Sequence, residues 1–250
     1  MINEWRPNLW QRISAARQLL RDSSLMKRAG GKAVTYAVDG QTIHGTIYYP
    51  RGEDPAPAVL LLHTSSGLSP REHGLAIRLA GEGYAALVIG YAKKLRRADL
   101  NDDDQRKRLE EITIGGLRAL QEDPRTDANK TAVIGFSFGG YFAARIACAN
   151  LAIPPAAVVI FYGVFPSQES QIANLRAPLL VLQGEGDSAN FVANAKRIKE
   201  LADFYHRECE VIFWPGAGHQ FDLFEPKSAA AQDAWQQTLA FLRKRLATSE

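Results

Sequence analysis

The stretch that most limits what this chain can fold into is residues 131–144, TAVIGFSFGGYFAA. Residues 131–136 form a short apolar, β-branched run, the pattern of a strand buried on both faces of a parallel sheet. Gly135-Phe-Ser137-Phe-Gly139 follows, a match to G-x-S-x-G. Its glycines permit a turn tight enough to lift one serine hydroxyl out at the strand's end. Gly139, Gly140, Ala143, Ala144 and Ala147 then give the next helix a small-residue face, as close packing against a sheet requires. Five residues alone would equally suit an ordinary turn serine. The strand before and the small-faced helix after are what give the pattern value.

The rest of the chain supplies a setting for such a turn. Leu9, Ile13, Ala16 and Leu20 recur at helical spacing, so residues 8–21 read as an amphipathic helix whose apolar face packs on the body or on a second copy. Ser23-Ser24 and Gly30-Gly31 read as a linker, giving residues 1–31 as an N-terminal extension and 32–250 as a single domain. Residues 33–38 and 42–49 are strand-like and flank Asp39-Gly40, a hairpin signal. Strands follow at 58–63, 84–89, 131–136, 156–162, 178–183 and 210–214, with helices at 70–82, after Asp102, after Ser137, at 190–205 and at 229–246. Such alternation predicts a mostly parallel sheet, covered by helices on both faces, with an antiparallel hairpin at its start. Asp102, Asp103 and Asp104 suit the N-terminus of the helix they precede rather than a metal.

A serine hydroxyl needs a base, and the base needs a third group to fix its tautomer. Of five histidines, His44 lies in a hairpin strand, and His73 and His206 lie in predicted helices. His63 ends a strand and could line the site. His219 follows Trp214-Pro-Gly-Ala-Gly, a glycine-rich turn able to bring an imidazole over Ser137. Asp187, in Gln183-Gly-Glu-Gly-Asp187, stands just past a strand; Glu185 and Asp222 are its rivals. The resulting chain order is Ser137, Asp187, His219, and the backbone N–H groups of Phe138 and Ser65 are the candidate oxyanion donors.

Composition narrows the class. At 250 residues, 46% hydrophobic and 23% charged, the chain is globular, and a net charge of +3 gives no sign of a nucleic-acid module. Cys148 and Cys209 fit neither a disulfide framework nor a zinc site, and no cofactor or metal is expected. The N-terminal residues carry too many charges for a secretory signal, and no run has the ~18 apolar residues of a membrane span. A cytoplasmic enzyme, monomeric or homodimeric, with no membrane partner is the expectation.

Taken in order, several segments resemble the dienelactone hydrolase family of α/β-hydrolases. They are the early hairpin, His63-Thr-Ser-Ser-Gly67, Arg71-Glu72, Gly83-Tyr-Ala-Ala, Tyr91-Ala-Lys93, Gly135-Phe-Ser-Phe-Gly-Gly140, Phe161-Tyr-Gly163, Gly184-x-x-Asp187 and Gly216-Ala-Gly-His219-x-Phe221. The likeness covers residues 33–246. Departures are equally informative. Members that open dienelactones carry a cysteine where this chain has Ser137 and a glutamate at the position of Thr64. They also carry substrate-binding arginines where it has Lys93 and Leu223.

The resemblance implies an α/β-hydrolase that cleaves a small soluble ester or lactone. Thr64, Tyr91, Lys93, Tyr162 and Phe221 are the candidates for contacting substrate, although aromatics at strand ends suit core packing equally well. Only 49 residues separate Ser137 from Asp187 (187 − 137 − 1), too few for a lid domain. Peptide or amide cleavage and acyl transfer on the same three residues are the alternatives. A non-catalytic binding module is the reading from a different class.

Overall fold

The computed structural model describes residues 6–92, 102–163 and 169–247. Helix α1 (Leu9–Arg28) precedes β1 (Lys32–Val38), β2 (Gln41–Tyr48) and β3 (Ala56–Leu62). After these come α2 (Pro70–Gly81), β4 (Ala85–Ile89), α3 (Asp103–Gln121), β5 (Thr126–Phe136) and α4 (Phe138–Cys148). The remaining elements are β6 (Ala157–Phe161), α5 (Glu169–Ala173), β7 (Leu179–Gly184), α6 (Ala189–Phe204), β8 (Cys209–Trp214), α7 (Phe221–Phe224) and α8 (Ala229–Leu246).

The strands join one sheet in the order β1-β2-β4-β3-β5-β6-β7-β8. β1 and β2 pair antiparallel around Asp39-Gly40, and β2 pairs antiparallel with β4; every other pairing is parallel. The central strands are buried on both faces, which is why they read as unbroken apolar runs. Alternation within them divides the core. Ala58, Leu60 and Leu62 of β3 join Leu109, Leu117, Phe142 and Ile198 of α3, α4 and α6 on one side. Val59 and Leu61 join Ala76, Leu79, Leu239 and Leu242 of α2 and α8 on the other. The chain turns inside out at β3: strand order reverses there, and in open α/β sheets the loops beyond the C-terminal strand ends near such a point carry the chemistry.

Three expectations change. β5 begins at Thr126 rather than 131, because the Ala56 N–H donates to Arg125 O and Thr126 then pairs with Ala56 across a register shift. Helix α1 continues through Ser23 and Ser24 to Arg28 instead of giving way to a linker. Asn8 and Gln11 form a reciprocal capping box at its start, and Gln18 donates to Asp22 one turn further on, so the serines fall inside an established helix.

The helix also faces the opposite way. Ala15 and Asp22 are its buried residues, with Gln11, Gln18 and Leu25 half-buried on the same side, whereas Leu9 and Leu20 are 70% and 73% exposed. This inward face lies along α2 and reaches α7, where Gln11 Nε2 donates to Glu225 at 2.6 Å. Contact with α2 is close. A Cβ added to Gly74 would lie 2.5 Å from Asp22 Cγ, so the side chain of Asp22 occupies the space a larger residue would need. Burial there raises the Asp22 carboxyl to about 6, against the lowering effects of Gln18, Arg71 and Arg78.

Candidate active site

Ser137 sits between β5 and α4 with φ +53° and ψ −110°, a conformation that costs a non-glycine residue roughly 1–3 kcal/mol. Its surroundings leave no alternative. A Cβ on Gly139 would stand 2.6 Å from Leu62 C and 2.7 Å from His63 O, and one on Gly135 would stand 2.5 Å from Gly139 C. The helix therefore rides directly on β3 and on its own preceding strand. The Ser137 N–H donates to Phe161 O at 3.0 Å, tying the turn to β6 as well.

Asp187 follows β7 and His219 follows β8. Asp187 Oδ2 is 2.8 Å from His219 Nδ1, and His219 Nε2 is 3.1 Å from Ser137 Oγ. An ionised carboxylate only accepts, so Nδ1 carries the imidazole proton and Nε2 is left to accept from the serine hydroxyl. The carboxylate is itself fixed, since the Ser188 N–H donates to Oδ1 at 2.7 Å and Gln183 Nε2 donates to Oδ2 at 3.0 Å. Of the rival acids, Glu185 is exposed, and Asp222 is committed to Arg71 and Tyr162. The side chain of Asp187 is 2% exposed and that of His219 17%, so the acid is sealed while the imidazole reaches the surface.

Phe138 is the first residue of α4, and its N–H has no acceptor one turn back within the helix. Ser65 lies in the turn after β3, the strand on which Gly139 rests. This loop is braced from beneath. His63 Nδ1 donates to Thr64 O at 2.6 Å, and its ring stacks on Tyr91 with centroids 3.9 Å apart. The Tyr91 hydroxyl donates to His63 O at 2.6 Å. Burial lowers the His63 pKa, keeping it neutral. Thr64 is buried, and its Oγ1 accepts from the Ser66 N–H.

A second group of residues stands behind His219. Its ring meets the edge of Tyr162 at 4.9 Å and lies 4.8 Å from Phe191. Tyr162 donates its hydroxyl proton to Asp222 at 2.6 Å and accepts from Arg71 at 2.7 Å. Arg71 also pairs with Asp222 and with Glu72, whose other oxygen accepts from the N–H and hydroxyl of Ser69, the cap of α2. The Arg71 guanidinium lies 4.0 Å over the Phe136 ring. Burial alone would disfavour this cation, but Asp222, Tyr162 and Glu72 outweigh it and hold the guanidinium protonated.

Asp222 stands three residues beyond His219, so the network anchors the loop that delivers the imidazole. Arg71-Glu72 appears among the family-like segments, but a pair of charges opening a helix reads as surface until Asp222 and Tyr162 are placed beside it.

Tyr91, Tyr162 and Phe221 are 4%, 0% and 1% exposed, and their contacts are with the protein: Tyr91 under the His63 loop, the other two under the His219 loop. Lys93 lies outside the described residues. A cavity of about 580 Å³ runs between α1, α2 and α8, lined by Asp22, Arg78, Phe161 and Trp235 among others; Ser137, Asp187 and His219 are not part of it. No group of acidic, histidine or cysteine side chains among the described residues is arranged to hold a metal ion.

A serine on a strained strand-to-helix turn, in a sheet of this strand order, is the arrangement of an α/β-hydrolase. Residues 43–246 match the profile of the dienelactone hydrolase family. Two curated relatives are similar over most of their length. A Bradyrhizobium protein named "Probable 2-oxo-3-(5-oxofuran-2-ylidene)propanoate lactonase" is 28% identical over 216 residues, covering 75% of this chain and 83% of that one. The carboxymethylenebutenolidase of Rhodococcus opacus is 24% identical over 225 residues, covering 78% and 88%. Among solved structures, the dienelactone hydrolase of Anabaena variabilis superposes with a TM-score of 0.67 at 24% identity, covering 87% of this chain and 98% of that one. The chain belongs to the dienelactone hydrolase family, and it is a hydrolase.

Proposed function

We propose that this protein is a serine hydrolase that cleaves a small soluble carboxylic ester or lactone through an acyl-enzyme. The observation that carries the reading is the continuous hydrogen-bonded chain from Asp187 through His219 to Ser137, built from three loops at the same edge of the sheet. Ser137 Oγ attacks the carbonyl carbon while His219 Nε2 takes its proton. The proton passes to the leaving alcohol, or to the alkoxide still tethered in a ring-opened lactone. His219 then takes a proton from water as it attacks the acyl-serine, and returns that proton to Ser137 Oγ as the acyl–oxygen bond breaks and the carboxylic acid leaves. Asp187 holds the tautomer and stabilises the imidazolium. The N–H groups of Phe138 and Ser65 receive the oxyanion, each worth about 3 kcal/mol in the transition state.

The 49 residues between Ser137 and Asp187 (187 − 137 − 1), too few for a lid domain, and the lactonase name of the Bradyrhizobium relative support a compact substrate. Serine in place of cysteine, and Thr64 in place of the activating glutamate, argue against a dienelactone as that substrate. With an alcohol rather than a thiol as nucleophile, the base must be hydrogen-bonded in advance, as His219 is. Short-chain p-nitrophenyl esters, lactones and aminoacyl amides assayed side by side test the proposal. Esters and lactones are turned over, the amides are not, and Ser137→Ala lowers kcat on the best substrate by about 10⁴-fold or more. Undiminished turnover by that variant removes the proposal, and preference for the amides replaces it with an amidase.

A further inference from the structure

Helix α1 presents to solvent most of the apolar stripe expected to pack on the body or on a second copy. At ~100° per residue, Leu9, Ile13, Ala16 and Leu20 fall within about 60° of one another. Leu9 and Leu20 are 70% and 73% exposed, Ala16 is exposed and Ile13 half-buried, and Trp10, at the margin of the stripe, is 78% exposed. Arg17 and Arg21 border the stripe on Trp10's side and Arg12 on the other, with Lys27 and Arg28 in the last turn. Between residues 6 and 28 there are six basic residues and a single acid, Asp22, whose carboxylate points inward against Gly74. None of Arg12, Arg17, Arg21, Lys27 and Arg28 pairs with a carboxylate among the described residues; Arg12 and Arg28 donate only to backbone carbonyls. This helix lies outside residues 43–246, the part that matches the family.

We propose that the outer face of α1 docks this enzyme on a bilayer surface that contains anionic lipid. A Leu and Trp stripe bordered by basic side chains is the composition of a helix lying in the plane of a membrane interface, its apolar residues among the acyl chains and its arginines at the phosphates. Charge selects this occupant. A second copy would bring two cationic faces together with no acid between them, whereas an anionic surface complements all of them at once. Shape agrees, because α1 is fixed along α2 by its other side and has one face to offer to a flat partner. A nucleic acid would use the cations but leave the leucines and Trp10 unburied. The protein lies on the bilayer without crossing it, since no described helix is long and apolar enough to span. Such docking departs from the expectation of no membrane partner at the surface alone.

Flotation with extruded vesicles tests this. Recovery on phosphatidylcholine vesicles containing about a third phosphatidylglycerol exceeds that on pure phosphatidylcholine about tenfold or more, and raised salt weakens it. The paired variants Leu9→Asp with Leu20→Asp and Arg12→Glu with Arg17→Glu both lose recovery, while hydrolysis of a soluble ester is unchanged because none of these residues belongs to the site. Vesicle addition shifts tryptophan emission to the blue, and Trp10→Phe abolishes most of that shift. Absence of recovery, or equal recovery on both lipids, overturns the proposal. So does sensitivity to the arginine pair but not to the leucine pair, which marks a purely ionic partner such as nucleic acid. Self-association that Leu9→Asp with Leu20→Asp dissolves, without vesicle binding, assigns the face to a second copy instead.

Discussion

The turn at Ser137 and the helix α1 both pack closely on neighbouring elements, yet they are specified in different ways. At the turn, backbone meets backbone. Gly139 abuts the carbonyls of Leu62 and His63, Gly135 abuts Gly139, and Gly140 lies where an added Cβ would come 2.9 Å from Gly163 Cα. Nothing there can yield. At α1, a helix meets a helix through side chains, and the buried face is Gln11, Ala15, Gln18, Asp22 and Leu25 rather than the more apolar stripe. Backbone packing fixes position to a fraction of an ångström, whereas side-chain packing on one face leaves the opposite face free for another purpose.

Substitutions at the close approaches sharpen this contrast. The largest effect is expected at the turn. In Gly139→Ala the methyl group collides with main-chain atoms that hold β3 in register, so thermal unfolding should show a loss above about 3 kcal/mol or no folded protein at all. A folded, fully active Gly139→Ala would break the comparison. Gly74→Ala meets instead the side chain of Asp22, which can withdraw together with α1. Its expected cost is about 1–3 kcal/mol, with ester hydrolysis retained and protease sensitivity gained within residues 9–28. Equal damage from both substitutions would mean that α1 is as integral as the turn.

A smaller effect concerns pH. The Asp22 carboxyl titrates at about 6 in the folded protein because it is buried, and near 3.9 when unfolded. Between those values the folded state retains a proton that the unfolded state has lost. This group's contribution to stability therefore falls as pH rises from about 4 to 6. Asp22→Asn removes the titration, so the difference in Tm between variant and wild type should grow in the variant's favour across that window and level off above it. A difference that is flat with pH, or of opposite sign, would show that Asp22 is ionised and satisfied against α2.

How much of this was legible follows from the same distinction. The alternation of apolar runs fixes the sheet, and the chain order of Ser137, Asp187 and His219 picks out residues that the fold brings within hydrogen-bond range, because strand-end loops in such a sheet all open on one edge. Periodicity also finds α1, but period says only that a helix has two faces; which one turns inward depends on the partner surface. Here that surface is α2, with the guanidinium groups of Arg71 and Arg78 beside Asp22 and a glycine that admits its carboxylate. The Arg71, Glu72, Tyr162 and Asp222 network was hidden for a related reason. Its members are 91 and 151 residues apart in sequence, and each alone resembles a surface charge or a core aromatic. The extension of β5 to Thr126 rests on one backbone bond from Ala56, for which polar side chains give no signal.

The most direct test of the account is covalent labelling. Treating the folded protein with a fluorophosphonate and mapping the adduct by peptide mass should place one label per chain on Ser137, with labelling abolished by Ser137→Ala and slowed by His219→Ala. A folded protein that leaves Ser137 unmodified, or that takes the label at another residue, would contradict the assignment of this serine as an activated nucleophile.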